Sequence, residues 1–579
     1  MELDSRMAAM LLSSMLERLQ NSDNKAAVST LECQALALAI QALGAGSPAS
    51  QAVMAPADRV ATPDAPLTTE PHPAIVRPKG TLSLPKKPAP EPTPEPALVV
   101  APPPAVPALE LDLSSLDRDR PSLEGYVLCL DFGTAMSKAF ARKAYQKYLE
   151  LELGAAAGES GFLLPSSIFI GDDKKVYFGA EALRQSEREG HAGHKRLDSI
   201  KSHLSQRTGA DVDSTWLELS ENPHAAELPL THGDAIRLYL AYFIDISVQA
   251  LTRYPELAGE NTRHVLRRYA HPCWPDTQQA AASTKMQEMM EQAQILADTF
   301  SGQWNNGIPL QKLREGLKQV KALQAMPHYL LDKGIPEPVA VAGSIVYDTE
   351  HQRDAFMVVD VGAGTTDFGL FIVVKKEDDD VVVHQVGDSV MGLMQAGDKV
   401  DSLLRFYIAT KEGIDRDDAH GGEVMADLAR RIRGLKEALF RTGHVEYVLS
   451  DGSTGIVYKN EFLDDERVVR FASAMQDAFI KSLSNVDDSW LKLLSNNHNM
   501  TLKVAVTGGS APLDMMQALS HGEIDINGHT IKREPLDVRP DWLDEHPALG
   551  VIYPQLAVAI GGTAEVMPRV DNAPQRLYR

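Results

Sequence analysis

Two segments far apart in the chain end an apolar run on an aspartate and follow it with a glycine–threonine turn. The first reads Tyr126-Val-Leu-Cys-Leu-Asp131-Phe-Gly133-Thr134-Ala135-Met-Ser137-Lys138, and the second reads Phe356-Met-Val-Val-Asp360-Val-Gly362-Ala-Gly364-Thr365-Thr366-Asp367. Glycine lets backbone amides close on an anion, and a threonine hydroxyl adds a donor. A carboxylate at a strand end can hold a hydrated magnesium ion beside phosphates. Asp131 and Asp360 are therefore candidate metal-holding groups acting through water. Gly133, Thr134, Gly362, Gly364, Thr365 and Thr366 are candidate phosphate contacts. A third segment, Lys503-Val-Ala-Val-Thr507-Gly508-Gly509-Ser510-Ala-Pro512, runs a strand into a Gly-Gly turn. Its backbone can lie flat against a nucleoside, with a helix beginning near Pro512. Taken singly, each segment also reads as an ordinary turn.

These turns need strands and helices to aim them. The apolar runs before Asp131 and Asp360 predict strands, each returning through a second strand. After Asp367 the return strand reaches Val374, a charged turn covers 375–380, and Val381–Val386 comes back as its hairpin partner. From Tyr126 onward strands and helices alternate, which predicts an α/β fold. Leu313, Leu317, Val320 and Leu323 form a helical stripe, and Ser283–Phe300 is rich in Met, Gln, Glu and Ala. Residues 281–330 are thus expected to be helical.

The three segments, in this order, resemble the actin-like ATPase superfamily of actin, sugar kinases and the seventy-kilodalton heat-shock chaperones. The resemblance covers about Tyr126 to Pro568. It is greatest to the nucleotide-binding domain of the heat-shock (DnaK-type) chaperones. Leu164-Pro-Ser-Ser-Ile and Val176-Tyr-Phe-Gly179-Ala are similar to that family's Pro-Ser strand and Gly-x-x-Ala turn. Pro336-Glu337-Pro338 is similar to its connecting helix, and Gln395-Ala396-Gly397 to a Gly-Gly turn with Ala396 in place of the first glycine. Lys436-Glu-Ala-Leu439 is similar to its adenosine-side helix, although Arg433 stands where that family has a glutamate. Tyr553-Pro-Gln-Leu-Ala557 is similar to its closing helix.

The resemblance implies two ribonuclease-H-like lobes with nucleotide in the cleft between them. The first lobe spans about 123–355, the second about 356–550, and the closing helix about 551–568. The 62 residues from Pro275 to Glu337 exceed what that family needs, which implies a helical insertion at 281–330 on the first lobe. ATP or ADP with Mg2+ is the implied cofactor. Asp131, Lys201, Glu337, Asp360, Thr365 and Asp367 take the catalytic roles, with Glu337 and Asp367 near the attacking water. Ala135, Gly397, Lys436, Gly508, Gly509 and Ser510 join the nucleotide contacts. For the lysine near the γ-phosphate, Lys201 in Ser-Ile-Lys-Ser-His-Leu is preferred to Lys195. Only 11 residues follow Pro568, so the chaperones' peptide-binding domain is expected to be absent.

Composition narrows the partners. Lys and Arg number 57 against 79 Asp and Glu, a net charge of −22, which argues against nucleic acid or an anionic membrane as the main partner. The three cysteines (Cys33, Cys129, Cys273) match no zinc spacing or disulfide framework, so a reducing, cytoplasmic setting is expected. No aromatic residue precedes Tyr126, and 17 of 35 prolines lie between Pro48 and Pro107. Residues 45–122 are accordingly expected to be a disordered Pro-rich linker, whose Pro48–Pro107 segment could reach roughly 190 Å if extended. Before it, residues 1–44 show two amphipathic helical stripes, Met7/Leu11/Met15/Leu19 and Leu36/Ile40/Leu43. Short helices without a core of their own suit docking to a protein partner or to another copy of the chain.

The function expected from these features is a slowly hydrolysing, chaperone-like ATP switch of the heat-shock family. Its lobe closure would regulate a protein partner or client, met through the N-terminal helices, the insertion or the lobe surface. A filament-forming actin-like protein and a small-molecule kinase of the same superfamily are the alternatives.

Overall fold

The apolar runs that end at Asp131 and Asp360 become strands because their Val, Leu, Met and Phe side chains find burial in a sheet. The computed structural model describes residues 109–144, 148–157, 161–189, 196–206, 211–215, 229–345, 353–375, 381–415, 418–496 and 501–570. The chain divides into two units, Met1–Ala101 and Pro102–Arg579, and every described residue lies in the second. The expected N-terminal helix pair, most of the expected linker and Lys195 lie outside the described residues.

The architecture is mixed α/β with two larger sheets. The first holds β1 (Tyr126–Asp131), β2 (Met136–Lys143), β3 (Tyr148–Glu150), β4 (Leu266–His271) and β5 (Ile335–Pro336), in the order β3-β2-β1-β4-β5. The second holds β6 (Arg353–Val361), β7 (Thr366–Lys375), β8 (Val381–Gln385), β9 (Met391–Leu393), β10 (Leu502–Thr507), β11 (Gly522–Ile526), β12 (His529–Pro535) and β13 (Arg569–Val570). Its order is β11-β12-β10-β6-β7-β8-β13, with β9 alongside β7. The central strands share one plan. β1 pairs antiparallel with β2 and parallel with β4, and β6 pairs antiparallel with β7 and parallel with β10. A parallel neighbour requires a crossover connection, so residues far apart in sequence meet at the ends of these strands.

Helices cover the sheets. The first core buries Leu238, Tyr239 and Tyr242 of α1 (His232–Thr252), and the Tyr239 hydroxyl donates to Ser137 Oγ on β2 at 3.1 Å. Thr231 caps α1 through a capping box with Asp234, both hydrogen bonds being 3.0 Å. Among the described residues α1 alone is long and apolar enough to cross a membrane, and 89% of its most apolar window is buried inside the protein. The stretch expected as an insertion holds α2 (Asp276–Thr299) and α3 (Leu310–Ala322), whose Met289, Leu296, Leu313 and Leu317 belong to the same core.

In β6, Met357 and Val359 face one core while Phe356 and Val358 face another. That second face carries α4 (Glu337–Ser344) and, later in the chain, the closing helix Pro547–Gly561. Each such buried side chain contributes roughly 1.5–3 kcal/mol. The second sheet is also served by α5 (Gly397–Lys411), α6 (Ala419–Thr442) and α7 (Glu466–Ser484), and the closing helix is α8.

The linker, expected to run to residue 122, ends earlier. Leu109, Leu111 and Leu116 pack against the first core, and the Asp112 amide donates to Thr299 Oγ1 at 3.0 Å. The Tyr329 hydroxyl donates to the Ser115 carbonyl at 2.8 Å. Aliphatic side chains supply this contact, which a boundary drawn from aromatic content misses.

Candidate functional site

Asp131 closes β1 and Asp360 lies one residue from the end of β6, each opposite a charged residue on its hairpin partner. Asp131 faces Lys138 and Asp360 faces Asp367 across the antiparallel pairs. On the parallel side Asp131 meets Ala270 and Asp360 meets Thr507. Both aspartates open onto one cavity of about 570 Å³, lined from both sheets. The same cavity is lined by Gly133, Thr134, Ala135, Lys201, Glu337, Gly362, Thr365, Lys436, Gly508, Gly509 and Ser510.

Within it the charges are paired. Lys138 Nζ lies 3.0 Å from Asp131 Oδ2. Lys201 Nζ contacts Glu337 Oε1, and both side chains are almost fully buried. Burial alone would lower the Lys201 pKa, but the carboxylates of Glu337 and Asp131 outweigh it and hold the ammonium above its ordinary value. Asp360 Oδ1 accepts from the Thr507 hydroxyl at 2.9 Å. Burial first, and then the charge of Glu337, push the Asp360 and Asp367 carboxyls well above the usual range.

Turn chemistry brings the loops together. A Cβ on Gly364 would stand 2.9 Å from Thr134 Oγ1, so the two glycine–threonine loops meet. Gly508 has φ +89°, and a Cβ there would fall 2.6 Å from the Val361 carbonyl carbon. Only glycine fits that approach without strain. The Ser510 hydroxyl then donates to the Gly362 carbonyl at 2.8 Å, tying the Gly-Gly turn to the second glycine–threonine loop. The helix expected near Pro512 is a short one, Asp514–Gln517.

Four expected site residues do not line the cavity. Asp367 is fully buried behind it, with Oδ1 accepting from the Cys273 amide at 2.7 Å. It therefore does not face the position expected for an attacking water. The Thr366 hydroxyl donates to the Gln395 carbonyl at 2.8 Å. Gly364 and Gly397 act at loop contacts, the Gly397 amide donating to the Gly362 carbonyl at 3.3 Å. Lys436 does line the cavity, yet its ammonium is committed to Asp401 at 2.9 Å and to the Gly397 carbonyl at 3.2 Å.

The cavity also takes in residues that motif reading left out. Lys138 was legible once the hairpin register is drawn, because it pairs directly with Asp131. On α6, Glu437, Phe440 and Arg441 join Arg433 and Lys436 at helical spacing in lining the cavity, and Val551 and Gln555 of α8 line it too. Across the mouth, the Ser199 hydroxyl donates to Asp398 Oδ2 at 2.8 Å, and Arg433 lies 3.7 Å from Asp398 Oδ1.

Magnesium and a nucleotide can be tested against these side chains. Among the described residues no three His, Cys, Asp or Glu side chains form a metal-binding group. Two hard carboxylates from opposite sheets fit an ion that keeps its water shell, as magnesium does. No family model matches this chain, and no curated protein matches it in sequence.

Proposed function

We propose that the cleft binds magnesium–ATP and hydrolyses it slowly, and that the chain is a switch of the actin-like, heat-shock-chaperone type. The observation that carries this reading is the duplication at the cavity. Two sheets each present a central strand with one antiparallel and one parallel neighbour, and each strand brings an aspartate to the same cavity. In this reading the sheets belong to two lobes, about 123–355 and 356–550, with ATP or ADP between them.

Phosphoryl transfer needs positioning and charge neutralisation more than covalent chemistry. Asp131 and Asp360 would hold a hydrated magnesium ion, which would offset phosphate charge. The Gly133–Ala135 and Gly362–Thr365 loops cradle the phosphates, and Lys138 and Lys201 neutralise charge that develops there. Glu337, oriented by Lys201, is the carboxylate that faces the reacting water. Asp367 acts from behind by holding the Cys273 backbone against β7. Because both halves of the chain contribute, nucleotide state sets their closure, which a protein partner or client reads through the lobe surface, the α2–α3 region or the N-terminal segment. A second copy of the chain is one such partner.

Phosphate release measured with and without Mg2+ tests the reading. Asp360→Asn or Thr365→Ala should slow magnesium-dependent hydrolysis at least about tenfold, near 1.4 kcal/mol of barrier, with the fold intact. Unchanged turnover in both variants would place the chemistry elsewhere.

A further inference from the structure

The α6 face of the cleft carries more positive charge than a neutral sugar and base require. Arg433 is tied through Asp398 to the second phosphate loop, because the Asp398 amide donates to the Ala363 carbonyl at 2.8 Å. Phe440 lies seven residues further along α6, roughly 10 Å at about 1.5 Å per residue. With Pro512, Leu513 and Val551, Phe440 makes the apolar end of the cavity, suited to a flat base. A nucleotide with its phosphates on the 362–365 loop and its base at Phe440 lays its sugar beside Arg433 and Lys436.

Lys436 is already spent on Asp401 and a carbonyl. Arg433 is not. Its pair with Asp398 is 3.7 Å long, the two side chains are 40% and 34% exposed, and the other Asp398 oxygen already serves Ser199. So loose a pair is worth little, and the guanidinium has five N–H donors. Sugar hydroxyls are read by acceptors such as carboxylates. Where an arginine faces a ribose, the group it matches is a phosphate, as the choice between acid and arginine in dinucleotide sites illustrates. Glu437, one turn on, subtracts charge from this face, while Arg441 beyond it adds charge and makes no ion pair among the described residues.

We propose that this cleft prefers a nucleotide with an added phosphate on its ribose, at the 2′ or 3′ position, and that Arg433 holds that phosphate. The proposal rests on the nucleotide reading given above, and it adds to ATP and ADP a preference for their ribose-phosphorylated forms.

Titration calorimetry on the full chain with Mg2+ separates the two claims. The probes are ADP, ADP with an added 2′-phosphate and ADP with an added 3′-phosphate. One phosphorylated isomer should bind at least about tenfold more tightly than ADP, the scale of one charge-assisted bidentate contact. That ratio should fall toward one in Arg433→Gln and invert in Arg433→Glu, whose carboxylate prefers hydroxyls. ADP binding with a wild-type ratio near one overturns this inference alone. A raised ratio that survives Arg433→Gln overturns the role of Arg433. Failure of ADP, ATP and both phosphorylated probes to bind overturns the nucleotide reading and this inference with it.

Discussion

Replacing Lys201 by Met should destabilise the protein far more than replacing its partner Glu337 by Gln. The two side chains form a nearly fully buried pair, 136 residues apart in sequence. Removing one member of such a pair typically costs about 3–5 kcal/mol, because the other charge is left buried and uncompensated. The neighbours make the two changes unequal. Lys201 is also attracted by Asp131 and Asp367, so its loss strands several carboxylates at once. Glu337, by contrast, raises the pKa values of both Asp360 and Asp367, so its loss relieves repulsion while Asp131 still faces the lysine. The expected costs are about 3–5 kcal/mol for Lys201→Met and about 1–2 kcal/mol for Glu337→Gln, with a double variant milder than the sum of the two. Urea unfolding followed by tryptophan fluorescence at pH 7.5, with magnesium chelated, measures all four proteins. Equal costs, or a larger cost for Glu337→Gln, would refute the reasoning that Lys201 is the hub of an acidic cluster.

Other consequences are equally direct. Burial lowers the pKa of His271 to about 4, with its ring stacked 4.4 Å from Trp274. The unfolded chain takes up this proton below about pH 6.5 while the native protein resists it, so stability falls as pH drops from there towards 4. Between pH 6.5 and 5 that loss is about 2 kcal/mol, and a matched pH series on His271→Gln should lack it. Gly508→Ala, forced to φ +89° against the Val361 backbone, should cost about 1–3 kcal/mol and weaken nucleotide binding, readable from the unfolding midpoint and a fluorescent-nucleotide titration. A chain starting at Leu109 should keep its unfolding temperature in the second unit. One starting at Leu123 loses the packing of Leu109, Leu111 and Leu116 and should be weaker by at least about 2 kcal/mol.

The local signals in this chain were strong where covalent neighbours supply them. An apolar run, an aspartate and a glycine–threonine turn specify a strand that ends in a carboxylate, and both copies, at Asp131 and Asp360, lie at or next to strand ends that open on the cavity. The stripe of α3 was legible for the same reason, since helical spacing is a property of the nearest turn, and α2 was legible from its Met, Gln, Glu and Ala content. What the sequence left open was which face looks where. β6 and β7 are buried on both sides, so no alternation of polar and apolar residues marks the cleft face. Asp367 and Thr366 therefore read as site residues, yet they pack away from the cavity on Cys273 and Gln395. Lys201, in a turn, and Glu337, at the start of α4, meet across 136 residues of sequence. The α6 stripe turns its charged face inward only because the opposite face is buried against the second core. Such choices depend on contacts between residues 29 to 136 positions apart, and only tertiary packing decides them.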